Sequence, residues 1–472
     1  MKFKQLLARL APARLVRTAV VWAFLGSFLR SGGAILLLPL IAHYVPGQHL
    51  GIWYVFVSMG GLVLLIDDGV SVSVSRAAAY LWSGAEDLLS FGIAPLKQAD
   101  NARPNTAAMH KLVRTLVWYY RLFAMVCFVL LALCGSTWIW HLTRDLPDAG
   151  ILRTAWLVYS FGYCLSLSGL LWPALLSGIN EVCRAQRILT IGSIINCVVA
   201  AAGLILHFGI WSLAAGSLLM SIFTRIAAMR AFHRATGHVF RRSADEGLQW
   251  SLLRKLWPNS WRLGICGVGA YLSVPATVLI CSAFIDLETT ASLGLSLQLL
   301  NKLVVLSAVW LLVKIPELNR FRAQNEVRRL IAVSVARIRL SVLTFVLGAA
   351  AIIVLAPTLL EITGARTLLL PGPLLVLLAA TLLLALQQSL HGHLILTENR
   401  NPFALAQLFT GIGVVILAVI LAPRFNLNGI LLATFVVPLL YLDWWIVLRA
   451  VSGLGIKPLE YLRLFFRGRV VC

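Results

Sequence analysis

The chain has 472 residues, of which 60% are hydrophobic and only 12% charged, with a mean hydropathy of +0.88. A water-soluble protein of this length carries about twice that charged fraction, so the composition excludes a soluble enzyme and calls for an integral membrane protein with many spans. The formal charge of +22 comes from 40 Lys and Arg against 18 Asp and Glu. It would suit nucleic acid only if the bases formed a patch on a water-facing domain, and here they sit in short loops, so no nucleic-acid partner is expected.

The first stretch, MKFKQLLARLAPARLVR, is basic and runs into an apolar segment too long for a cleavable signal, so it reads as an uncleaved first span. The apolar windows predict about twelve spans, at 18–44, 51–80, 114–139, 154–177, 188–208, 210–232, 261–285, 289–313, 338–360, 371–395, 403–422 and 429–449. With the N-terminus inside, only Arg144, Arg153, Arg366 and Arg424 fall in outside loops, and Arg30, Arg76, Arg121, Arg225 and Lys302 fall within spans. Nearly all other bases gather on the inner side, which predicts cytoplasmic termini and contact with anionic inner-leaflet lipids. The Ala- and Arg-rich usage without an organellar signal points to a bacterial inner (cytoplasmic) membrane.

The loop HRATGHVFRRSADEGLQWSLLRKLWPNSWR lies near the chain's centre and divides the spans into two equal sets. The predicted organisation is an N-terminal helical lobe over 1–235, a cytoplasmic linker over 236–260, a C-terminal lobe over 261–455 and a basic tail over 456–472. The halves echo each other. GINEVCRAQRILTIGSIINCVVAAAGLILHFGIW runs from an inside turn at Asn180 to an outside turn at Gly209. ENRNPFALAQLFTGIGVVILAVILAPRFNLNGIL does the same from Asn401 to Gly429. Two units in the same orientation are related by an axis along the membrane normal.

A charge near the bilayer centre is costly unless it meets water, a partner or a substrate, so depth selects the candidate functional residues. At 1.5 Å per residue, Arg30 lies about 17 Å into the first span, and Lys302 is similarly deep in the eighth. Arg121 and Arg225 lie in the inner halves of the third and sixth spans, where snorkelling is a competing explanation. Asp67 and Asp68 interrupt the second span about 24 Å along it. Successive residues point about 100° apart, so one of the two is expected to face a cavity or cation while the other packs or caps a break. Gly69, Ser71, Ser73 and Ser75 soften the helix beyond them. His391 and His393, in QQSLHGHL, do not share a helical face and read as polar helix packing, not as a metal pair. The 8 cysteines show no CxxC or metal-ligand spacing, so no metal or cofactor is expected. No phosphate-binding loop is present to use ATP directly.

PLIAHYVPGQHLGIWYVFVSMGGLVLLIDDGVSVSVSRAAAYL resembles the first two spans of polysaccharide and O-antigen (Wzx-type) flippases. The likeness rests on Gly51-Ile52-Trp53 opening the second span, Asp67-Asp68-Gly69 within it and Ser75-Arg76 after it; the doubled aspartate departs from the commoner pattern. The resemblance implies the all-α MATE-like fold of the multidrug/oligosaccharidyl-lipid/polysaccharide (MOP) exporter superfamily, with two six-helix lobes facing a central cavity. It also implies transport of a polyprenyl-pyrophosphate-linked oligosaccharide from inner to outer leaflet, in company with a polysaccharide polymerase and export machinery. On that reading Arg30, Lys302, Arg121 and Arg225 contact the pyrophosphate, and Asp67 and Asp68 act as counter-ions or proton carriers. The competing reading is a cation-coupled exporter of small molecules, whose cavity would be dominated by carboxylates. A peptidoglycan-precursor flippase is a nearer rival, and a membrane glycosyltransferase would need outside loops larger than these.

Overall fold

The computed structural model describes residues 33, 37–65, 67, 69–85, 104–237, 249–324, 326–398 and 401–467. Among these residues every regular element is helical. A chain bathed in lipid has no water to pair its peptide groups, and helices satisfy them within one segment.

After a helical stretch over 37–44 come α1 (Gly47–Leu64), α2 (Val70–Trp82) and α3 (Thr106–Leu130). A π turn (Leu131–Gly135) joins α3 to α4 (Ser136–Leu142), followed by α5 (Ala149–Gly169), α6 (Leu171–Gly178), α7 (Val182–Ile205) and α8 (Ile210–Ala235). The rest comprises α9 (Trp250–Ser273), α10 (Ala276–Phe284), α11 (Leu287–Leu312), α12 (Ile315–Ala323), α13 (Val327–Ile362), α14 (Gly372–Leu396), α15 (Ala404–Leu440), α16 (Leu442–Gly453) and α17 (Pro458–Arg467).

Nine helical runs among the described residues are long and apolar enough to cross a membrane. Eight coincide with the third to tenth predicted spans, and the run Ala404–Gly453 covers the last two. The first predicted span lies mostly outside the described residues. The second is not one helix: α1 stops at Leu64 and α2 begins at Val70.

The internal repeat has a backbone signature. Gly209, before α8, has φ 55° and ψ −132°, and Asn426, inside α15, has φ 50° and ψ −138°. Phe208-Gly209-Ile210 therefore corresponds to Phe425-Asn426-Leu427, three residues earlier than the Gly209–Gly429 pairing read from the sequence. Glycine and asparagine are the residues that tolerate positive φ most readily, so either can make this turn. Gly429 has another task, since a Cβ there would lie 2.7 Å from the Leu421 carbonyl oxygen across the hairpin.

Backbone contacts divide the chain into two units, one containing residues 59–267 and the other 35–58 with 268–472. In the first, Val74 and Ala78 of α2, Leu112 and Leu116 of α3, Leu175 of α6 and Phe232 of α8 are fully or almost fully buried in one apolar cluster. In the second, α1 and α11 cross at small residues. A Cβ on Gly51 would lie 2.0 Å from the Leu287 carbonyl oxygen, and one on Gly294 2.1 Å from the Tyr54 ring. Lipid offers no hydrophobic drive for helix pairing, so such close backbone approach is how membrane helices gain van der Waals contact.

Candidate functional site

The break in the second span carries the first site. Asp and Gly are weak helix formers, and an Asp side chain competes for nearby donors, so a helix reaching Asp67-Asp68-Gly69 stops readily. The Asp67 carbonyl accepts from the amides of Val70 (2.9 Å) and Ser71 (3.2 Å), which starts α2. Gly69 is needed for a different reason: a Cβ there would lie 2.1 Å from the Ser260 carbonyl oxygen of α9. Ser73 donates to the Gly69 carbonyl at 3.0 Å, and Ser260 donates to Ser73 at 2.9 Å, which ties α9 to the break. Of the serines expected to soften this helix, Ser71 and Ser73 bond groups at the break.

Asp67 is buried, and both its carboxylate oxygens are occupied. Tyr120 of α3 donates to Oδ1 and Ser71 donates to Oδ2. Charge-assisted bonds from hydroxyls are strong where water is excluded, and they hold the carboxylate in one orientation. Ser71 also lines a cleft of about 500 Å³ together with Ser75, Arg76, Ser177 and Gln186. The carboxylate thus sits one hydroxyl away from a cleft whose wall is mostly apolar, with Arg76 and Gln186 among its polar groups.

The next residue on α3 begins the second site. Tyr120 is buried toward Asp67, while Arg121 is exposed on a different side of the helix, as a 100° step requires. Arg121 lines a cleft of about 260 Å³ with Arg225 of α8. Ser168 of α5 accepts from the Arg225 guanidinium, and the two arginines are close enough for their charges to interact. The rest of the wall is mostly apolar, including Met125, Phe128, Phe161 and Leu165. Two cations in an apolar wall are chemically a receptor for an anion with a greasy attachment.

The structure therefore brings Arg121 and Arg225 together and places Asp67 one residue of α3 away, through Tyr120. Lys302 is half-buried on α11, in the second unit. Arg30 and Asp68 lie outside the described residues. Sequence reading missed Tyr120 and Ser168, which are ordinary helix residues until the fold sets them beside Asp67 and Arg225. It also missed Asp443, at the start of α16. The rule that selected Asp67, a carboxylate within a predicted span, applies to Asp443 equally. The polar packing expected of QQSLHGHL is present: His391 bonds the Gln387 carbonyl and the Tyr461 hydroxyl of α17, each at 2.8 Å.

No protein-family model and no curated protein matches the chain. Solved structures do. An inward-facing multidrug resistance MATE family transporter of the MOP superfamily matches with a TM-score of 0.67 at 14% identity, covering 91% of this chain and 95% of that one. An outward-facing one matches with a TM-score of 0.59 at 12% identity, over 94% and 97%. A MOP superfamily transporter from Pyrococcus furiosus Vc1, described as having a binding pocket of reverse polarity that suggests a different function, matches with 0.52 at 14% identity, over 93% and 96%. The chain is an all-helical membrane protein with the fold of the MATE transporters.

Proposed function

We propose that this chain is a transporter that flips a polyprenyl-pyrophosphate-linked oligosaccharide from the inner to the outer leaflet of a bacterial cytoplasmic membrane, by alternating access, for surface polysaccharide assembly. The observation that carries the reading is the pairing of Arg121 and Arg225 on one cleft whose remaining wall is largely apolar. A pyrophosphate satisfies two guanidinium forks at once, and a polyprenyl tail satisfies the wall. Met125 of the cleft wall and its neighbours Leu122 and Val126 on α3 are exposed, an apolar surface that suits a tail left in the bilayer. Lys302 and Arg30 are further candidate contacts. Asp67 and Asp68 are the candidate counter-ions or proton carriers; α3 joins Asp67 to the arginine cleft, so a change in one can reach the other. A polymerase and export machinery would take the delivered sugar.

The second reading, a cation-coupled exporter of small molecules, draws on the multidrug transporters that share the fold. Pocket charge separates the two. A cationic drug would be repelled by paired arginines, whereas a MOP-fold protein with a pocket of reversed polarity is already described.

The test is surface polysaccharide and leaflet-resolved lipid-linked sugar in cells carrying Arg121→Ala, Arg225→Ala and the double variant at matched membrane levels. Each single loss removes a charge-assisted contact of about 1.5–3 kcal/mol, so flipping should fall roughly tenfold or more. Arg225→Lys should be milder than Arg225→Ala, because charge remains when the fork is lost. Normal polysaccharide display by the double alanine variant would overturn the pyrophosphate reading.

A further inference from the structure

A second buried carboxylate lies at a second helix break. Helix α15 ends at Leu440, Tyr441 leaves helical geometry at φ −141° and ψ −59°, and Asp443 falls in the first turn of α16. Asp443 is 6% exposed. Gln388 of α14 donates its amide to Asp443 Oδ1, but Oδ2 is buried without a hydrogen-bond partner among the described residues. Gln387 Oε1, on the residue adjacent to Gln388, is buried and unpartnered in the same way. Nearly all buried polar atoms find a partner, so the orphaned carboxylate oxygen of Asp443 requires an explanation.

The other ionisable groups on elements packed against α16 do not supply the missing donor. On α14, His391 is occupied by the Gln387 carbonyl and by Tyr461, and His393 forms no bond to Oδ2. Arg424, near the middle of α15, is exposed, and Glu460 and Arg463 of α17 are exposed. Burial pushes the Tyr461 hydroxyl above its ordinary range, so it remains a donor to His391. Arg449, on α16 itself, pairs with Glu398 at 3.2 Å.

We propose that Asp443 is a proton-binding site of the second unit, taking one proton on Oδ2 and releasing it during the working cycle. An ionised carboxylate would leave a charged oxygen buried without a donor, the costliest arrangement a polar group can adopt. One added proton neutralises the buried charge, which removes the larger part of that cost. A metal ion is the competing occupant: among the described residues no group of three or more His, Cys, Asp or Glu could hold one, and a sodium ion held by one carboxylate with carbonyl oxygens is tested by titrating with and without sodium. The protonation stands by itself; its use in coupling rests on the transporter reading.

The experiment is infrared spectroscopy of the full-length protein in lipid nanodiscs, titrated in sodium-free and in sodium-containing buffer, beside transport assays at several pH values. The expected result is a carboxylic-acid carbonyl band that gives way to carboxylate as pH rises, is lost in Asp443→Asn, persists in Asp67→Asn, and is indifferent to sodium. Asp443→Asn supplies an amide where the protonated acid would be, and should fold. Gln388→Leu provides an independent check: the ionised form loses its donor, so the midpoint should move up by about one pH unit. Absence of any Asp443-dependent band change across the titration, or a change driven by sodium at fixed pH, would overturn the site. If the band behaves as expected but Asp443→Asn leaves the pH dependence of transport intact, coupling through Asp443 is refuted. Failure of the arginine variants above to affect flipping would leave the infrared result standing, so the two readings fail separately.

Discussion

Asp67 and Asp443 occupy similar positions and are treated in opposite ways. Each is a buried carboxylate where a transmembrane run changes from one helix to another. Asp67 has a hydroxyl on each oxygen, from Tyr120 and Ser71, and its break is pinned by the backbone contact of Gly69 with Ser260. Asp443 has one amide, from Gln388, and an oxygen with no partner among the described residues. A fully satisfied buried group orders its surroundings, whereas a half-satisfied one is energetically poised to accept something more. The first break is built to hold a charge in place, the second to gain and lose one.

The largest difference between the breaks should appear in the backbone. Gly69→Ala puts a Cβ 2.1 Å from the Ser260 carbonyl oxygen, and α9 must move to admit it, at about 3 kcal/mol of stability. Tyr441→Ala should cost less than about 1 kcal/mol, because Tyr441 is 53% exposed. Thermal unfolding in detergent measures both, and equal losses would break the contrast.

Next in size is the removal of a donor. Tyr120→Phe leaves Asp67 Oδ1 without its bond, at about 2 kcal/mol, and should impair transport by freeing the carboxylate. A well-folded variant of normal activity would show that the tyrosine does not position Asp67.

The carboxylates themselves should separate more finely. Asp67→Asn sets an amide against two hydroxyl donors and should cost about 1 kcal/mol, whereas Asp443→Asn should be neutral within about 0.5 kcal/mol, since one oxygen already lacks a donor. Reversal of that order would undo the assignment of which site is satisfied. The smallest effect should come from Tyr461→Phe. His391 Nε2 would lose its donor for about 1 kcal/mol or less, seen as faster proteolysis near the left-handed Gly455 that precedes α17.

Composition and hydropathy alone determined that this is a membrane protein, and apolar run length located most of its spans, because lipid demands long uncharged helices whatever they pack against. Depth within a span put Arg121, Arg225 and Asp67 among the candidates beside the deeper Arg30 and Lys302, with snorkelling a competing explanation for Arg121 and Arg225. The sequence could not reveal that Arg121 and Arg225 share a cleft, because they lie on helices far apart in the chain and only packing brings them together. Nor could it reveal the donors at Asp67: Tyr120 and Ser71 are unremarkable in composition and acquire a role through orientation. The break in the second span was hinted at by Asp67-Asp68-Gly69, but the need for glycine came from α9, which no local pattern predicts. Asp443 lies within a predicted span, so the rule that selected Asp67 reached it too, but nothing local showed that one of its oxygens lacks a donor. Whether a buried carboxylate is satisfied depends on donors supplied by other helices, and that is settled only when the chain is folded.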